Sequence, residues 1–143
     1  MNLSDLLKNR LVEKFEARPE QIKNEMEIAR SNLKSAKRIL EIDEWEVAHN
    51  TAYNAMLQAA RALMFAKGYR PMSQEHHVAV VSFMQAAYSA KLGNNLLKSF
   101  DNARQRRNES WYEMAGSISP DQARELVGNA EIFVSRAVAL LGK

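Results

Sequence analysis

WEVAHNTAYNAMLQAARALMFAK, residues 45–67, is the stretch that decides the fold class of this chain. Its apolar residues recur at intervals of three and four around most of the helix circumference, as in a helix buried on several sides. The many alanines among them allow neighbouring helix axes to approach closely. We therefore predict a helix at the centre of a helical bundle, with Gly68 as its C-terminal stop.

Two further helices are predicted before this central segment, because the same apolar spacing continues there. The first covers about 4 to 17 and ends where Arg18-Pro19 disfavours helical backbone. The second runs from Pro19 to about 41. Beside its apolar face it carries a basic strip, formed by Arg30, Lys34, Lys37 and Arg38. Such a strip is usually a solvated face, although it can also contact a nucleic-acid backbone.

Three helices are predicted after a loop at residues 68–75. The fourth helix ends before Gly93, and the fifth runs from about 95 to 114. The last begins at SPDQ, residues 119–122, which supplies an N-cap, a first-turn proline and the glutamine of a capping box. No segment alternates as a half-buried strand would, so we expect no strand.

These helices predict one all-α domain over residues 1–143, an antiparallel four- to five-helix up-and-down bundle with an extra N-terminal helix. We expect residues 1–18 to form that extra helix and 19–143 to form the bundle core. Two halves of this chain would each be too small to bury a core. Apolar residues make up 46% and charged residues 26%, a composition typical of folded rather than disordered chains.

Composition also excludes several classes of protein. The chain has no cysteine, which excludes disulfides, thiolate metal sites and a cysteine nucleophile. No stretch approaches the roughly 18 apolar residues of a membrane span, and the charged N-terminus lacks the apolar run of a signal peptide. We therefore expect a cytoplasmic protein without membrane contact. A net charge of +3 permits a polyanionic partner without demanding one.

Two arginines interrupt the apolar face of the predicted fifth helix. In FDNARQRRNESWYE, residues 100–113, Arg104 and Arg107 share a face with Phe100 and Trp111. Because unpartnered guanidinium groups are costly to bury, these side chains either pair with nearby carboxylates or line a cleft that admits anions. The fork of donors in arginine suits phosphate. The stretch contains as many acids as arginines, so the residues alone leave both interpretations open.

The three histidines form no recognisable metal site. His76 and His77 are adjacent and point in different directions on a helix, and Tyr53 stands one turn after His49 where a second ligand would be needed. We expect neither a metal nor another cofactor. Tyr53, Arg61 and His77 are possible cleft residues, although packing is the simpler interpretation for each.

Four stretches, in this order along the chain, resemble the HEPN family. They are NTAYNAMLQAARALMFAKGYRP at 50–71, HHVAVVSF at 76–83, RRNESWYE at 106–113 and SPDQARELVGNAEIFVSRAVALL at 119–141. HEPN domains are bundles of four or five helices. Their ribonuclease members carry an arginine, a polar residue and, shortly afterwards, a histidine, and two copies meet in a dimer. The resemblance therefore implies a helical homodimer.

The same resemblance implies which residues form the site. Arg107 matches the motif arginine, Asn108 matches the polar residue, and Tyr112 stands where ribonuclease members carry histidine. A phenol with a pKa of about 10 does not ordinarily accept a proton near neutral pH. The implied function is therefore binding of a nucleotide or RNA by Arg104, Arg107, Asn108 and Tyr112 at a dimer cleft, with Arg107 and Tyr112 catalytic only if the chain is active.

HEPN proteins with a tyrosine at this point resemble the partners of minimal nucleotidyltransferases in toxin-antitoxin-like pairs. Tyr112 is then a candidate acceptor of a nucleotidyl group. Two alternatives stay open. One is a metal-independent ribonuclease toxin, in which Tyr112 or His77 replaces the usual base. The other is a structural helical adaptor that binds only protein and holds its arginines in ion pairs.

Overall fold

The computed structural model describes residues 2–72, 76–112 and 117–142, with side chains described for all of these except 109–112. Within these ranges the chain forms six helices and one two-stranded sheet, which confirms the predicted all-α class. The elements in chain order are α1 (Leu3–Lys8), β1 (Val12–Lys14), α2 (Pro19–Glu41), α3 (Trp45–Lys67), β2 (Tyr69–Pro71), α4 (His76–Leu92), α5 (Asn94–Tyr112) and α6 (Pro120–Leu141).

Helix α3 lies at the centre of the bundle, as its composition predicts. Helices α2 and α6 pack closely along it, and α4 and α5 contact it as well. Its alanines at 48, 52, 55, 59, 60 and 62 are fully buried, so the neighbouring helices approach its backbone directly. Gly68 ends the helix in a left-handed conformation with φ of 91°, and its backbone N–H donates to the carbonyl of Phe65.

The prediction of one helix over 4–17 is wrong, and so is the prediction of no strand. Helix α1 ends at Lys8, and Arg10 adopts a φ of 57°, which breaks the helix. The chain then pairs β1 antiparallel with β2, with Val12 opposite Pro71 and Glu13 opposite Arg70. This pairing buries Val12 and satisfies backbone groups of the connection between α3 and α4, an interaction between distant segments that local spacing does not reveal.

The predicted helix boundaries after β1 are mostly confirmed. Helix α2 begins at Pro19 and ends at Glu41, and α4 ends directly before Gly93. At the start of α6, the Ser119 hydroxyl accepts from the Gln122 backbone at 3.1 Å, and the Gln122 side chain accepts from the Ser119 backbone at 3.0 Å. This is the predicted capping box. The predicted end of the fifth helix near 114 lies outside the described residues.

The basic strip of α2 lies at the protein surface. Its residues Arg30, Lys34, Lys37 and Arg38 are exposed. Lys37 reaches α6, where its Nζ lies 2.9 Å from Glu131 Oε1. Along the described ranges, no helix is both long enough and apolar enough to cross a membrane.

Candidate functional site

A tyrosine and a histidine from different helices meet near one end of the bundle. Tyr53 of α3 is fully buried, and its hydroxyl lies 2.8 Å from Nδ1 of His77 in the first turn of α4. The two rings stack with centroids 5.6 Å apart. Phe100 of α5 packs 5.6 Å from the Tyr53 ring and 5.2 Å from Phe133 of α6. Tyr53 of the pair therefore packs against an apolar ring of α5, which in turn packs against one of α6.

Helix α5 brings Arg104 and Arg107 to this pair, because they follow Phe100 by one and two helical turns on the same face. Both side chains are half-buried, and the positive charges of both act on Tyr53 and His77. Arg104 Nε also donates to Asp101 Oδ1 at 3.0 Å. We call Tyr53, His77, Asp101, Arg104 and Arg107 the arginine cluster.

The surroundings keep both members of the Tyr53–His77 pair uncharged at neutral pH. Burial, followed by the charges of Arg107, His76, Arg104 and Arg61, lowers the pKa of His77 to about 4. Burial raises the pKa of Tyr53 above its usual value, and the nearby arginines oppose this only in part. The phenol therefore retains its proton, and among the described residues its hydrogen-bond partner is His77 Nδ1. We infer that the hydroxyl donates to Nδ1, which leaves the ring proton on Nε2.

Arg61 belongs to a second group, centred on His76. Its Nη1 donates to His76 Nε2, and its Nε lies 3.5 Å from Glu25 Oε2 of α2. Both atoms of this last contact are buried, and in the described part of the chain they meet as an ion pair. Burial raises the pKa of Glu25, an effect that the charge of Arg61 opposes. Because the rings of His76 and His77 are 6.1 Å apart, the two groups are neighbours that meet at the start of α4.

His49 is a buried histidine of α3. It lies one turn before Tyr53 on α3 and is fully buried, with Nδ1 2.9 Å from the Asn50 side-chain oxygen. Its Nε2 has no hydrogen-bond partner among the described residues. Burial lowers the pKa of His49, and the charge of Arg106 lowers it further. Arg106 therefore acts on His49, whereas Arg107 acts on His77.

The remaining predicted site residues lie near the end of α5. Asn108 is exposed there. Tyr112 is the last residue of the helix, and its side chain lies outside the described residues. The structure thus brings together Tyr53, His77, Arg104 and Arg107, and it places Arg61 one step away, through His76. The interpretation that these arginines pair with nearby carboxylates applies to Arg104, which forms an ion pair with Asp101.

The chemistry of the arginine cluster suits an anion better than a cation. In the part of the chain that the structure describes, no three histidine or acidic side chains lie together as a metal site would require. The cluster contains one carboxylate, which is already bound to Arg104. Guanidinium groups beside a neutral imidazole N–H form a set of donors, the arrangement that phosphate oxygens require.

The comparisons with known proteins identify the family. The sequence profile of the HEPN domain matches residues 22–140. The chain belongs to the HEPN domain family. A UPF0332 protein of Archaeoglobus fulgidus is 29% identical over 111 residues, which cover 78% of this chain and 87% of that protein. The crystal structure of TT1696 from Thermus thermophilus superposes with a TM-score of 0.66 at 16% identity, covering 83% of this chain and 97% of that one. This last likeness concerns the fold alone.

The resemblance to HEPN domains noted from the sequence is thereby confirmed. The profile match contains every residue of the arginine cluster as well as Arg61 and His76. It begins at Ile22, so that α1, β1 and the first turn of α2 lie outside it. The strand β1, which pairs with β2, therefore lies outside the matched range.

Proposed function

We propose that this HEPN-domain protein binds the phosphate group of a nucleotide or RNA at the arginine cluster. The observation that carries the proposal is the position of Arg104 and Arg107 beside the neutral Tyr53–His77 pair. Arg104 and Arg107 supply guanidinium donors, whose geometry suits the oxygens of a bound phosphate. The His77 Nε2–H adds a further donor.

The proposal includes a symmetric dimer, as the family resemblance implies. Asn108 is exposed near the end of α5, and we propose that it and Tyr112 complete a cleft between two copies. Light scattering of the purified chain tests this part. A monomer at micromolar concentration would remove the dimer from the proposal while leaving the arginine cluster of a single chain in place.

We further propose that a minimal nucleotidyltransferase is the protein partner, in a toxin-antitoxin-like pair. The support is the resemblance to HEPN proteins with a tyrosine at the motif position, which in this chain is Tyr112. An adjacent gene for a small nucleotidyltransferase, together with co-purification of the two products, would support the pairing. A neighbouring gene of another kind and no co-purification would argue against it.

We propose that the chain binds its ligand without cleaving RNA. A general base should have a pKa close to the working pH, whereas the pKa of His77 is about 4 and its Nε2 carries a proton. Metal-independent ribonuclease activity is the second candidate function, because His77 is a neutral imidazole beside two arginines. It predicts metal-independent cleavage that Arg107→Ala abolishes. Labelled RNA that stays intact after long incubation with the wild-type chain would exclude it.

The binding experiment compares two neighbouring arginines. We expect Arg107→Ala to weaken binding of adenosine 5′-monophosphate and of a short single-stranded RNA by about tenfold or more, the effect of losing a hydrogen bond to a charged group. Arg106→Ala removes the same charge one residue earlier, beside His49, and is expected to weaken binding far less. Equal affinity of Arg107→Ala and wild type at low salt would refute the site. Failure of the wild type to bind any nucleotide or RNA would favour the structural adaptor.

A further inference from the structure

A pocket of about 460 Å³ lies beside the arginine cluster, between the N-terminal segment and the connection from α3 to α4. Its lining residues come from β1, α3, β2 and the start of α4, and they are Glu13, Arg61, Arg70, Pro71, Met72 and His76. The volume lies within the roughly 300 to 1,000 Å³ that small-molecule sites occupy. The pocket is therefore large enough for a planar heterocycle.

Both arginines of the pocket are already paired with carboxylates. Arg70 Nε donates to Glu13 Oε1 at 2.7 Å, and its guanidinium lies 4.7 Å from the ring centre of Phe15. Arg61 pairs with Glu25. His76 adds no charge at neutral pH, because burial and the charge of Arg61 lower its pKa. Among the described lining residues each arginine is thus matched by a carboxylate, which favours an uncharged polar group over a second phosphate.

The pocket lining contains hydrogen-bond donors, a hydrogen-bond acceptor and apolar side chains. Arg70 occupies Oε1 of Glu13, so Oε2 is available to accept from a ligand. Arg61 and Arg70 supply donors, while the buried Pro71 and the half-buried Met72 supply apolar surface. A nucleobase has flat faces for such a wall and donors and acceptors along its edge. Glu13 would accept from a ring N–H or an amino group at that edge.

The pocket and the arginine cluster meet at the first turn of α4. His76 lines the pocket, His77 belongs to the cluster, and their rings are 6.1 Å apart. The charge of Arg61, in the pocket, also acts on His77. A nucleotide with its phosphate at Arg107 and its base beside His76 would cross this first turn of α4.

We infer that this pocket holds the nucleobase of the bound nucleotide and that Glu13 selects bases with an amino group at their edge. The inference rests on the proposed function, since it needs a phosphate at the arginine cluster. Uracil presents its ring N–H between two carbonyl oxygens, which a carboxylate repels. Adenine, cytosine and guanine each present an amino group. Glu13 belongs to β1, outside the HEPN profile match, so base selection is a property of this chain's N-terminal segment.

The test measures binding of the four nucleoside 5′-monophosphates and of ribose 5-phosphate, a probe that lacks a base. For the wild type we expect the adenine, cytosine and guanine nucleotides to bind about tenfold more tightly than the uracil nucleotide, the discrimination typical of base-edge hydrogen bonds. Ribose 5-phosphate should bind most weakly. Glu13→Gln should bring the four nucleotides to similar affinity. Glu16→Gln alters an exposed acid of the same segment that does not line the pocket, and it should leave the preference unchanged.

A second variant keeps the inference testable if Glu13→Gln proves unstable. Met72→Phe adds bulk to the pocket wall and should weaken nucleotides by several-fold while leaving ribose 5-phosphate unaffected. Equal binding of all four nucleotides to the wild type, or an equal effect of Met72→Phe on ribose 5-phosphate, would overturn the base pocket alone. If none of the probes binds, or if Arg107→Ala leaves all affinities unchanged, the proposed function itself fails.

Discussion

The low pKa of His77 provides a direct test of the geometry of the arginine cluster. Burial and four neighbouring groups together lower this pKa from its ordinary value of 6.5 to about 4. Burial has the largest effect and Arg107 the second largest. Removing Arg107 should therefore recover part of the interval and leave the larger part, due to burial and the other cations. We expect Arg107→Ala to raise the pKa of His77 by less than half of this interval, because burial lowers it more than Arg107 does.

Proton NMR of the histidine rings as a function of pH measures this change. The chain has three histidines, and the His77→Gln variant identifies the signal of His77. Arg106→Ala is a matched control, because Arg106 acts on His49 and is not among the causes that lower the pKa of His77. Arg107→Ala should move His77 and spare His49. Arg106→Ala should raise the pKa of His49 and spare His77.

The reasoning is refuted if His77 in the wild type titrates near 6.5, since the ring would then be neither buried nor close to the arginines. It is also refuted if Arg106→Ala and Arg107→Ala shift His77 equally, because the two arginines would then not be separated as described. If the geometry holds, a bound phosphate should also raise the pKa of His77, since a neighbouring anion stabilises the imidazolium form.

Three further predictions concern stability. Because the folded-state pKa of His77 lies below 6.5, its contribution to the free energy of unfolding is complete above about 6.5 and is lost as the pH falls toward 4. Urea midpoints at pH 7.5 and 4.5 measure this, and a decline just as steep in His77→Gln would contradict it. Gly68→Ala should destabilise by about 1 kcal/mol because its φ is 91°, whereas Gly128→Ala, inside α6 with open space around it, should stabilise by up to about 1 kcal/mol. If urea denaturation shows Gly68→Ala to be as stable as the wild type or more so, the strain argument is wrong. Ser119→Ala removes the N-cap of α6 and should cost about 1 kcal/mol, and an unchanged thermal midpoint would mean that the capping box contributes nothing.

Features encoded within one segment are predictable from this sequence. The central helix, the stop at Gly68 and the capping box at Ser119 depend on neighbouring residues alone, and the structure has all three. The strand β1 is different, because its spacing of apolar residues also fits a helix. Val12 becomes a strand residue because Pro71, far along the chain, lies opposite it. Local spacing contains no information about that partner.

The arginine cluster shows the same division. The positions of Arg104 and Arg107 on the apolar face of α5 follow from helical spacing. Their neighbours Tyr53 and His77 come from two other helices, and only the packing of α3 against α4 and α5 brings them together. The expectation that His76 and His77 point in different directions did follow from adjacency, but the partner of each, Arg61 or Tyr53, depends on the fold.

The adjacent histidines at the start of α4 have different partners, Arg61 for His76 and Tyr53 for His77. His77 lies beside Arg104 and Arg107, the groups proposed to bind phosphate, whereas His76 contacts Arg61, which is paired with Glu25. Neither imidazole is charged at neutral pH, so neither adds to the attraction for a second phosphate. The proposed ligand, with one phosphate and one base, would engage both histidine surroundings at the start of α4. In an RNA chain, the proposed site would hold one phosphate at Arg107 and the base of the same nucleotide beside Glu13.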